Sequence, residues 1–313
     1  MRALRVARKS IQFKIGTLPR RFYRFHMMPR RILASIGLFS LVCLCLPAWG
    51  DSHKLEKQIH YAYVGKELKL RHFYHGDHLR FHSDGTLDGD ATVGAWTVDG
   101  QISVEDVQLH GNTLVIKGRR IYVEFSRSGT RDALTTIHDY QEKDREDMER
   151  ILRHAEVTIE IELPSGKPDL AKISSALRTI FLAPEESMME GVPEYWRGYF
   201  AQREGRKYKP SELAAKAYYF QPNSGMTPPR VVFNPDPEYS EIARKLKYQG
   251  VVVVYLIVDP SGAPKDLQVV NRLGLGLDDQ AVAAVSTWKF EPATKEGVPV
   301  PVAINVEVNF HLY

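Results

Sequence analysis

The sequence predicts an α+β protein, and three observations support this class. Between residues 61 and 163, apolar and polar residues alternate in short segments separated by Asp-Gly and Gly-Asn turns, which is typical of antiparallel strands. Residues 169–219 instead show apolar residues at helical spacing. The last part, about 80 residues, follows the order helix–strand–strand–helix–strand. We therefore expect a small carboxy-terminal α+β unit preceded by a β-rich domain with added helices.

These patterns divide the chain into five predicted segments. They are a basic leader with a signal peptide or signal anchor (1–50), a β-rich domain of unknown role (51–163), a helical segment (164–220), a Pro-rich linker (221–236) and the carboxy-terminal domain (237–313).

The leader carries the positive charge of the chain. Residues 1–31 contain ten of the 42 Lys and Arg residues, and no Asp or Glu precedes Asp51. The remainder has 32 basic and 38 acidic residues, a net charge of −6. The basic composition thus belongs to the leader, and we expect no nucleic-acid partner for the folded part.

An uncharged apolar run, residues 32–46, follows the basic residues and contains both cysteines. As a helix it would rise only ~22 Å, less than the ~30 Å hydrocarbon core of a bilayer. Small residues, Ala48 and Gly50, precede Asp51 as at a signal-peptidase site. Two alternatives remain: cleavage near Gly50, or retention of the run as an anchor. Either one exports residues 51–313, which have no cysteine for a disulfide.

The β-rich domain is predicted from its apolar positions. They are Ile102 and Val104, Leu114 and Ile116, then Ile121, Val123 and Phe125, and finally Val157, Ile159, Ile161 and Leu163. The charge-dense stretch 138–155 is predicted to be an exposed helix. Trp96 could line a ligand cleft, but we expect it in the core of this domain.

Four histidines in the segment LRHFYHGDHLRFH are candidate metal ligands. His75 and His78 flank a Gly-Asp pair and could bind zinc or copper together with His72 or His82. The alternative is a hairpin whose exposed positions are occupied by histidine. The sequence does not show the strand register that would bring His72 and His82 together.

The helical segment begins with an amphipathic stripe formed by Leu170, Ile173, Leu177 and Ile180. An aromatic cluster follows, which we expect to pack against the sheet rather than to bind carbohydrate or a membrane; it consists of Tyr195, Trp196, Tyr199 and Phe200. Five prolines within residues 221–237 then predict a semi-extended linker.

The carboxy-terminal elements can be placed individually. Asp236 can cap a first helix that has Pro237 at its first position. A nearly all-apolar strand, 250–259, and a returning strand, 267–272, come next, followed by a second helix stopped by Pro292. In the final strand, apolar residues alternate with outward-facing ones. The outward-facing residues are Ala303, Asn305, Glu307, Asn309 and His311.

The segment WKFEPATKEGVPVPV, with Tyr239 and Gly250 upstream, resembles the C-terminal domain of TonB-family energy transducers over residues 230–313. The residues that carry this motif are Trp288, Phe290, Pro292 and Gly250. The resemblance implies a periplasmic unit with a three-stranded antiparallel sheet. It also implies that the last strand is an edge to which the TonB-box peptide of an outer-membrane transporter adds.

Carried over to this sequence, the resemblance implies a partner-binding set. The set is Glu238, Tyr239, Val302, Ala303, Asn305, Glu307 and Asn309. The family's partners in the inner membrane, ExbB and ExbD, would engage the leader. However, residues 32–46 contain no histidine, Ser240 replaces the family's proline after Tyr239, and the long Pro-rich spacer is absent.

Two functions therefore remain open. The first is a TonB-family protein that binds a transporter or periplasmic partner by strand addition in energy-dependent transport. The second is an uncoupled periplasmic scaffold or sensor, with a ligand- or metal-binding β-domain and a C-terminal unit that pairs with itself as a homodimer. The sequence has no GxSxG, HExxH, P-loop or dinucleotide-binding motif, so we expect neither an enzyme nor a cofactor.

Overall fold

The computed structural model describes residues 51–125, 134–136, 155–222 and 224–312, with the backbone alone described for 51–53 and 134–136. The predicted leader and nearly all of the predicted exposed helix at 138–155 lie outside these ranges. The described part is a mixed α+β structure with several sheets, so the predicted fold class is confirmed.

A five-stranded sheet forms the centre of the amino-terminal part, in the order β1-β3-β4-β7-β2. Its strands are β1 Glu67–Lys69, β2 His78–Phe81, β3 Gln101–His110, β4 Thr113–Arg120 and β7 Glu156–Glu162. Neighbouring strands are antiparallel except β2 and β7, which are parallel. The predicted hairpin at Gly111 is confirmed, since His110 and Thr113 are register partners.

Two helices contact the apolar face of this sheet. They are α1 Asp51–Tyr63 and α3 Leu170–Ile180; the short helix α2 Trp96–Asp99 lies between them in the chain. Ile59 of α1 and Ile173 of α3 are buried in one cluster with sheet residues such as Ile116 and Ile159. Asp169 caps α3 by accepting a hydrogen bond from the Lys172 backbone N–H at 2.9 Å.

The carboxy-terminal unit has the predicted element order around a sheet ordered β12-β11-β16-β8. Its elements are β8 Tyr218–Tyr219, α6 Glu241–Lys245, β11 Gly250–Val258, β12 Pro264–Asn271, α7 Leu277–Ser286 and β16 Val302–Phe310. The three long strands are antiparallel, as predicted, and β8 adds a fourth strand parallel to β16.

In this unit the start of the first helix and the end of the second helix differ from the prediction. Ser240, not Asp236, caps α6, because its Oγ accepts a hydrogen bond from the Ala243 backbone N–H at 3.2 Å. Helix α7 ends at Ser286, well before Pro292. The residues in between turn into a strand, so the proline does not end the helix.

Several short elements complete the described chain. They are β5 Val123–Phe125, β6 Leu134–Thr136, a 3-10 helix Met188–Glu190, α4 Glu194–Arg203, α5 Glu212–Lys216, β9 Met226–Thr227, β10 Arg230–Phe233, β13 Lys289–Glu291, β14 Thr294–Lys295 and β15 Val298–Pro299. Strands β9 and β10 lie within the predicted linker and pair with β14 and β13. This stretch is therefore attached to the carboxy-terminal unit.

One apolar core joins the amino-terminal part to the carboxy-terminal unit. Trp96 of α2 and Trp196 of α4 are buried in the same cluster as Val254 and Val306 of the carboxy-terminal sheet. The backbone also connects the two parts, because β5 exchanges hydrogen bonds with the segment before α7. Phe125 N–H donates to the Leu273 carbonyl at 3.0 Å, and Leu275 N–H donates to the Val123 carbonyl at 2.8 Å. The carboxy-terminal unit is thus packed onto the rest of the described chain.

Candidate partner-binding edge

Strand β16 presents two different faces. Val302, Val306, Val308 and Phe310 are buried on the core face, as the alternating sequence predicts, and Asn309 on the opposite face is exposed. Their neighbours in β11, such as Val254 opposite Val306, are buried on the same side of the sheet. The core therefore fixes which residues of β16 face away from it.

Ala303 differs from the expectation for an outward-facing residue. It lies on the predicted face, yet it is only 7 % exposed. Ile257 and Tyr219 are its register partners in the two adjacent strands, and Ile257 is fully buried. Asn305 lies opposite Tyr255, and its Oδ1 is buried without a hydrogen-bond partner among the described residues. The first half of this face is therefore covered.

The direction of the backbone groups of β16 follows from two hydrogen bonds. The carbonyl of Pro301, just before β16, accepts from the Tyr218 N–H at 2.9 Å, on the side away from β11. In β11, the Val251 carbonyl accepts from the Asn271 side chain at 2.6 Å, on the side away from β16. Because backbone groups alternate in direction along a strand, even-numbered residues of β16 bond to β11.

The odd-numbered residues of β16 consequently direct their N–H and C=O groups toward the outer edge. The strand β8 occupies the start of this edge, since Tyr218 and Tyr219 pair with Val302 and Ala303. Within the described ranges, the strand pairing on this side ends at Ala303. Asn305, Glu307 and Asn309 then form a stretch of edge that faces no neighbouring strand in the described chain.

The predicted contact residues near Tyr239 lie at the other end of β16. The Tyr239 ring stands edge-on to Phe310, with centroids 5.4 Å apart, and its hydroxyl donates to the Tyr248 carbonyl at 2.9 Å. Partial burial raises the pKa of Tyr239. Glu238 is exposed beside it. Tyr239 thus supports the end of the edge strand, and Glu238 is accessible there.

The Trp-Lys-Phe-x-Pro motif lies in the core rather than on the edge. Trp288 is buried, and its Nε1–H donates to the Pro235 carbonyl at 3.3 Å. The Phe290 N–H donates to the Gly262 carbonyl at 2.9 Å, and Gly250 pairs with Phe310 at the start of the sheet. Pro292 directly follows β13. The motif therefore holds the segment after α7 against the β11–β12 turn.

The four candidate metal-binding histidines are not brought together. His75 Nδ1 lies 3.4 Å from Asp99, His78 Nε2 lies 3.4 Å from Glu160, and His82 Nδ1 lies 3.1 Å from Glu162. His72 instead lies beside the Tyr74 ring. Within the described ranges no three His, Cys, Asp or Glu side chains are grouped to hold a metal ion.

The histidine arrangement has a simple structural reason. Strand β2 alternates, so His78 and the residue after the strand, His82, face the same side and meet the glutamates of parallel strand β7. The hydrogen bond that the His82 ring makes to the Glu162 carboxylate raises the pKa of His82. These pairs are contacts between strands on an exposed surface, and they give the metal hypothesis no support.

Two acidic residues at the start of α7 lie where the two parts of the chain meet. Asp278 is fully buried and accepts hydrogen bonds from the backbone N–H groups of Leu273, at 2.9 Å, and Gly274, at 2.6 Å. Asp279 accepts from the Tyr195 hydroxyl at 2.8 Å. Burial raises the pKa of Asp278 to about 7 and that of Asp279 to about 6.

Tyr218 and Tyr219 are the residues at the edge that sequence reasoning missed. They fall at the end of the predicted helical segment, and two residues are too few to show an alternating pattern. The adjacent aromatic pair, followed by Phe220 and Pro222, is the sequence signal for an extended segment here.

The helices of the described ranges include none that combines the length and apolar character needed to span a bilayer.

Comparison with known proteins places the carboxy-terminal unit in a family. The family model described as "Gram-negative bacterial TonB protein C-terminal" matches residues 235–312. Protein TonB of Vibrio cholerae serotype O1 is 35 % identical over 77 residues, which are 24 % of this chain and 32 % of that protein. Protein tonB2 of Pseudomonas aeruginosa is 35 % identical over 80 residues, covering 25 % of this chain and 30 % of that protein.

A solved structure also matches. The solution NMR structure of the Pseudomonas aeruginosa TonB CTD is 22 % identical, with a TM-score of 0.22, over 29 % of this chain and 89 % of that one. The chain spans about a third of the length of the curated relatives that it matches.

Proposed function

We propose that this chain, whose residues 235–312 are a TonB-family C-terminal domain, binds an extended peptide of an outer-membrane transporter or periplasmic partner by β-strand addition to β16. Binding would serve energy-dependent transport, and no catalytic step is assigned to the chain. The single observation that supports the proposal is that, among the residues the structure describes, no strand pairs with the outer edge of β16 beyond Ala303.

The edge has the features that strand addition requires. The backbone groups of Asn305, Glu307 and Asn309 point outward and can supply the hydrogen bonds that give affinity. Their side chains share one face of the strand and would contact alternate residues of an added peptide. Because the opposite face of β16 is buried, its register is fixed, and a partner meets a preformed template.

The test compares two substitutions at one position of the full chain. Glu307→Pro removes an outward N–H without removing a bond to β11, whereas Glu307→Ala removes the same side chain and keeps the N–H. Synthetic peptides that copy the amino-terminal segments of outer-membrane transporters are titrated by fluorescence anisotropy. We expect Glu307→Pro to weaken binding by about tenfold or more and Glu307→Ala to weaken it far less. Equal binding by the proline variant and the wild type would reject strand addition at this edge.

The scaffold alternative is favoured by one observation, the shared core between the carboxy-terminal unit and the rest of the described chain. A unit packed in this way does not have the independent reach that a long tether would provide. In this alternative the edge of β16 pairs with a second copy or with a periplasmic protein, and the chain has no ExbB or ExbD partner.

Mass spectrometry of the mature amino terminus, after fractionation of the cell envelope, separates the two functions. A start at Asp51 would leave a periplasmic protein without an inner-membrane anchor and favour the scaffold. Retention of residues 32–49 in the inner membrane would favour the transducer and make ExbB/ExbD-type proteins the next partners to test. Sedimentation velocity over a range of concentrations would show whether a homodimer forms.

A further inference from the structure

The segment that leads from α4 to β8, residues 206–219, crosses the carboxy-terminal sheet from one edge strand to the other; we name it the strap. It starts beside β12, where the Gln268 side chain donates to the Tyr208 hydroxyl at 2.7 Å and the Ser211 hydroxyl donates to Asp266. It ends as β8 on the outer edge of β16. The strap thus spans the sheet, and its last residues occupy the position of an added strand.

Polar and cation–π contacts hold the end of the strap. The Tyr218 N–H bonds to the Pro301 carbonyl at 2.9 Å. Lys295 Nζ lies 4.7 Å from the centre of the Tyr218 ring, and the Tyr219 hydroxyl is hydrogen-bonded with that of Tyr255. The contacts are polar or cation–π interactions near solvent, and each contributes little stability.

The strap also buries little apolar surface of its own. Helix α5, in its middle, has no buried residue. The side chains that pair with the edge remain accessible, with Tyr218 40 % and Tyr219 58 % exposed. By contrast, the β16 residues beneath, Val302 and Ala303, are buried. Segments with few buried contacts open locally at a smaller free-energy cost than the core that they cover.

We infer that the strap is an internal competitor for the partner-binding edge: its strand β8 occupies the start of the edge and must leave before an extended peptide can pair along residues 303–309. The inference rests on the proposed function, because it concerns the same edge. The proposed occupant is an extended peptide, and the chain's own residues 217–220 show how such a segment lies on this edge. The apparent affinity for the peptide would equal the affinity of the open form multiplied by the fraction of molecules in which the strap is open.

The first test loosens and locks the strap in the full chain. Tyr218→Gly/Tyr219→Gly removes both aromatic contacts. Tyr219→Cys/Ala303→Cys, in a Cys43→Ser/Cys45→Ser background, places two cysteines at register partners, so oxidation locks β8 onto β16. The probe is a fluorescent synthetic peptide of residues 215–222. We expect it to bind the loosened chain about tenfold or more tightly than the wild type, and to bind the locked chain only after reduction.

Transporter-derived peptides serve as a second probe and separate the two proposals. If they bind the wild type and the loosened chain equally, the strap is not a competitor, while strand addition stands. If they bind no form, yet the 215–222 peptide binds the loosened chain and not the oxidised one, the strap occupies a real strand-binding edge and the assignment to transporters is wrong. Equal binding of the 215–222 peptide to oxidised and reduced chains would overturn the inference.

Hydrogen exchange on the unmodified chain avoids any folding defect of the variants. The Tyr218 amide, which bonds to Pro301, should exchange at least about tenfold faster than that of Val254 in the central strand β11 if the strap opens locally. Equal, slow exchange of the two amides would mean that the strap opens only with the whole fold, which would reject its role as a displaceable segment.

Discussion

The indole rings of Trp96 and Trp196 lie 5.3 Å apart, centre to centre, and are nearly perpendicular at 86°. Trp96 belongs to the amino-terminal part, and Trp196 lies on the helix that packs against the carboxy-terminal sheet. Both side chains are almost fully buried. An edge-to-face pair of this kind stabilises the fold beyond the contribution of the apolar area that it buries. The junction between the two parts therefore has the character of a domain core.

This junction predicts a large stability loss for Trp196→Ala. Removing a buried indole deletes its transfer free energy and leaves a cavity, at a cost of about 3–5 kcal/mol. Urea denaturation of the full chain, followed by circular dichroism, measures the change. The control is Tyr61→Ala, since Tyr61 is 90 % exposed and its loss should change the unfolding free energy by less than about 0.5 kcal/mol. Similar effects of the two substitutions would contradict a shared core.

Much of the carboxy-terminal unit was predictable because its signals are local. The alternation along β16 correctly assigns Val306 and Val308 to the core, because a strand that buries one face must repeat every two residues. The order of helices and strands follows from similar patterns. The sequence predicts Asp236 as the cap of α6, whereas Ser240 caps it, because both residue types can accept a hydrogen bond from a backbone N–H of the first turn and only the tertiary structure selects where the helix begins.

The remaining features depend on contacts between distant residues. The sequence predicts that Trp96 and Trp196 each pack in a core, but no sequence pattern pairs two residues that are so far apart in the chain. The parallel register of β2 and β7 places His82 opposite Glu162, and that pairing is not visible from either strand alone. Strand β8 is two residues long, so it has no periodicity to detect. The coverage of Ala303 therefore appears only in the structure.

Gly274→Ala should weaken the attachment of the carboxy-terminal unit to β5. Gly274 has φ of +82°, and an added Cβ would collide with the Val123 carbonyl and lie 2.7 Å from Glu124 Cα. Gly297→Ala is a matched control, because its φ is +81° and no atom lies within 4 Å of an added Cβ. Both substitutions introduce the strain of a positive φ, about 1 kcal/mol, and the first adds a backbone collision.

The measurement for this pair is thermal unfolding together with hydrogen exchange of the β5 amides. We expect Gly274→Ala to lower the midpoint by several degrees more than Gly297→Ala and to speed exchange at Phe125, whose N–H bonds to Leu273. Equal shifts in the two variants would show that the close approach at Gly274 contributes nothing beyond the strained backbone.

Arg120→Ala should destabilise the amino-terminal part by about 3–5 kcal/mol. Arg120 pairs with buried Asp99 at 3.2 Å and donates to the carbonyls of Tyr74, at 2.9 Å, and Gly76, at 2.7 Å. Its loss leaves the buried Asp99 carboxylate without its arginine partner, and it leaves the carbonyls of Tyr74, Gly76 and Asp99 without their donor. The adjacent Arg119 provides the control, because its pair with Glu105 at 3.0 Å is partly exposed.

For Arg119→Ala we expect the free energy of unfolding to fall by less than about 1 kcal/mol, which is the usual contribution of an exposed ion pair. Equilibrium denaturation of both variants gives the comparison. If Arg120→Ala were as mild as Arg119→Ala, then the buried pair would not organise the loop that carries Tyr74 and Gly76.

The raised pKa of Asp279 predicts that the free energy of unfolding falls as the pH rises. Burial raises its pKa to about 6 in the folded chain, above the ordinary 3.8 that applies when the chain unfolds. The folded state therefore binds the proton more tightly, so this contribution is fully present below pH 4 and is lost as the pH rises through about 6. Between pH 4 and 7 Asp279 should lower the unfolding free energy by on the order of 1–3 kcal/mol.

Asp279→Asn should remove this dependence, because the amide keeps an oxygen to accept from the Tyr195 hydroxyl but does not titrate. The measurement is the unfolding free energy of wild type and variant at several pH values from 4 to 7, and the readout is the slope, since a constant offset reflects only the altered contacts. Asp84→Asn is the control, because hydrogen bonds from Thr86 lower the pKa of Asp84 below 3.8. Its contribution is lost only as the pH falls below this range, so the slope between pH 4 and 7 should stay that of the wild type. Parallel pH profiles for wild type and Asp279→Asn would mean that the carboxyl group at the junction of the two parts stays ionised throughout this range.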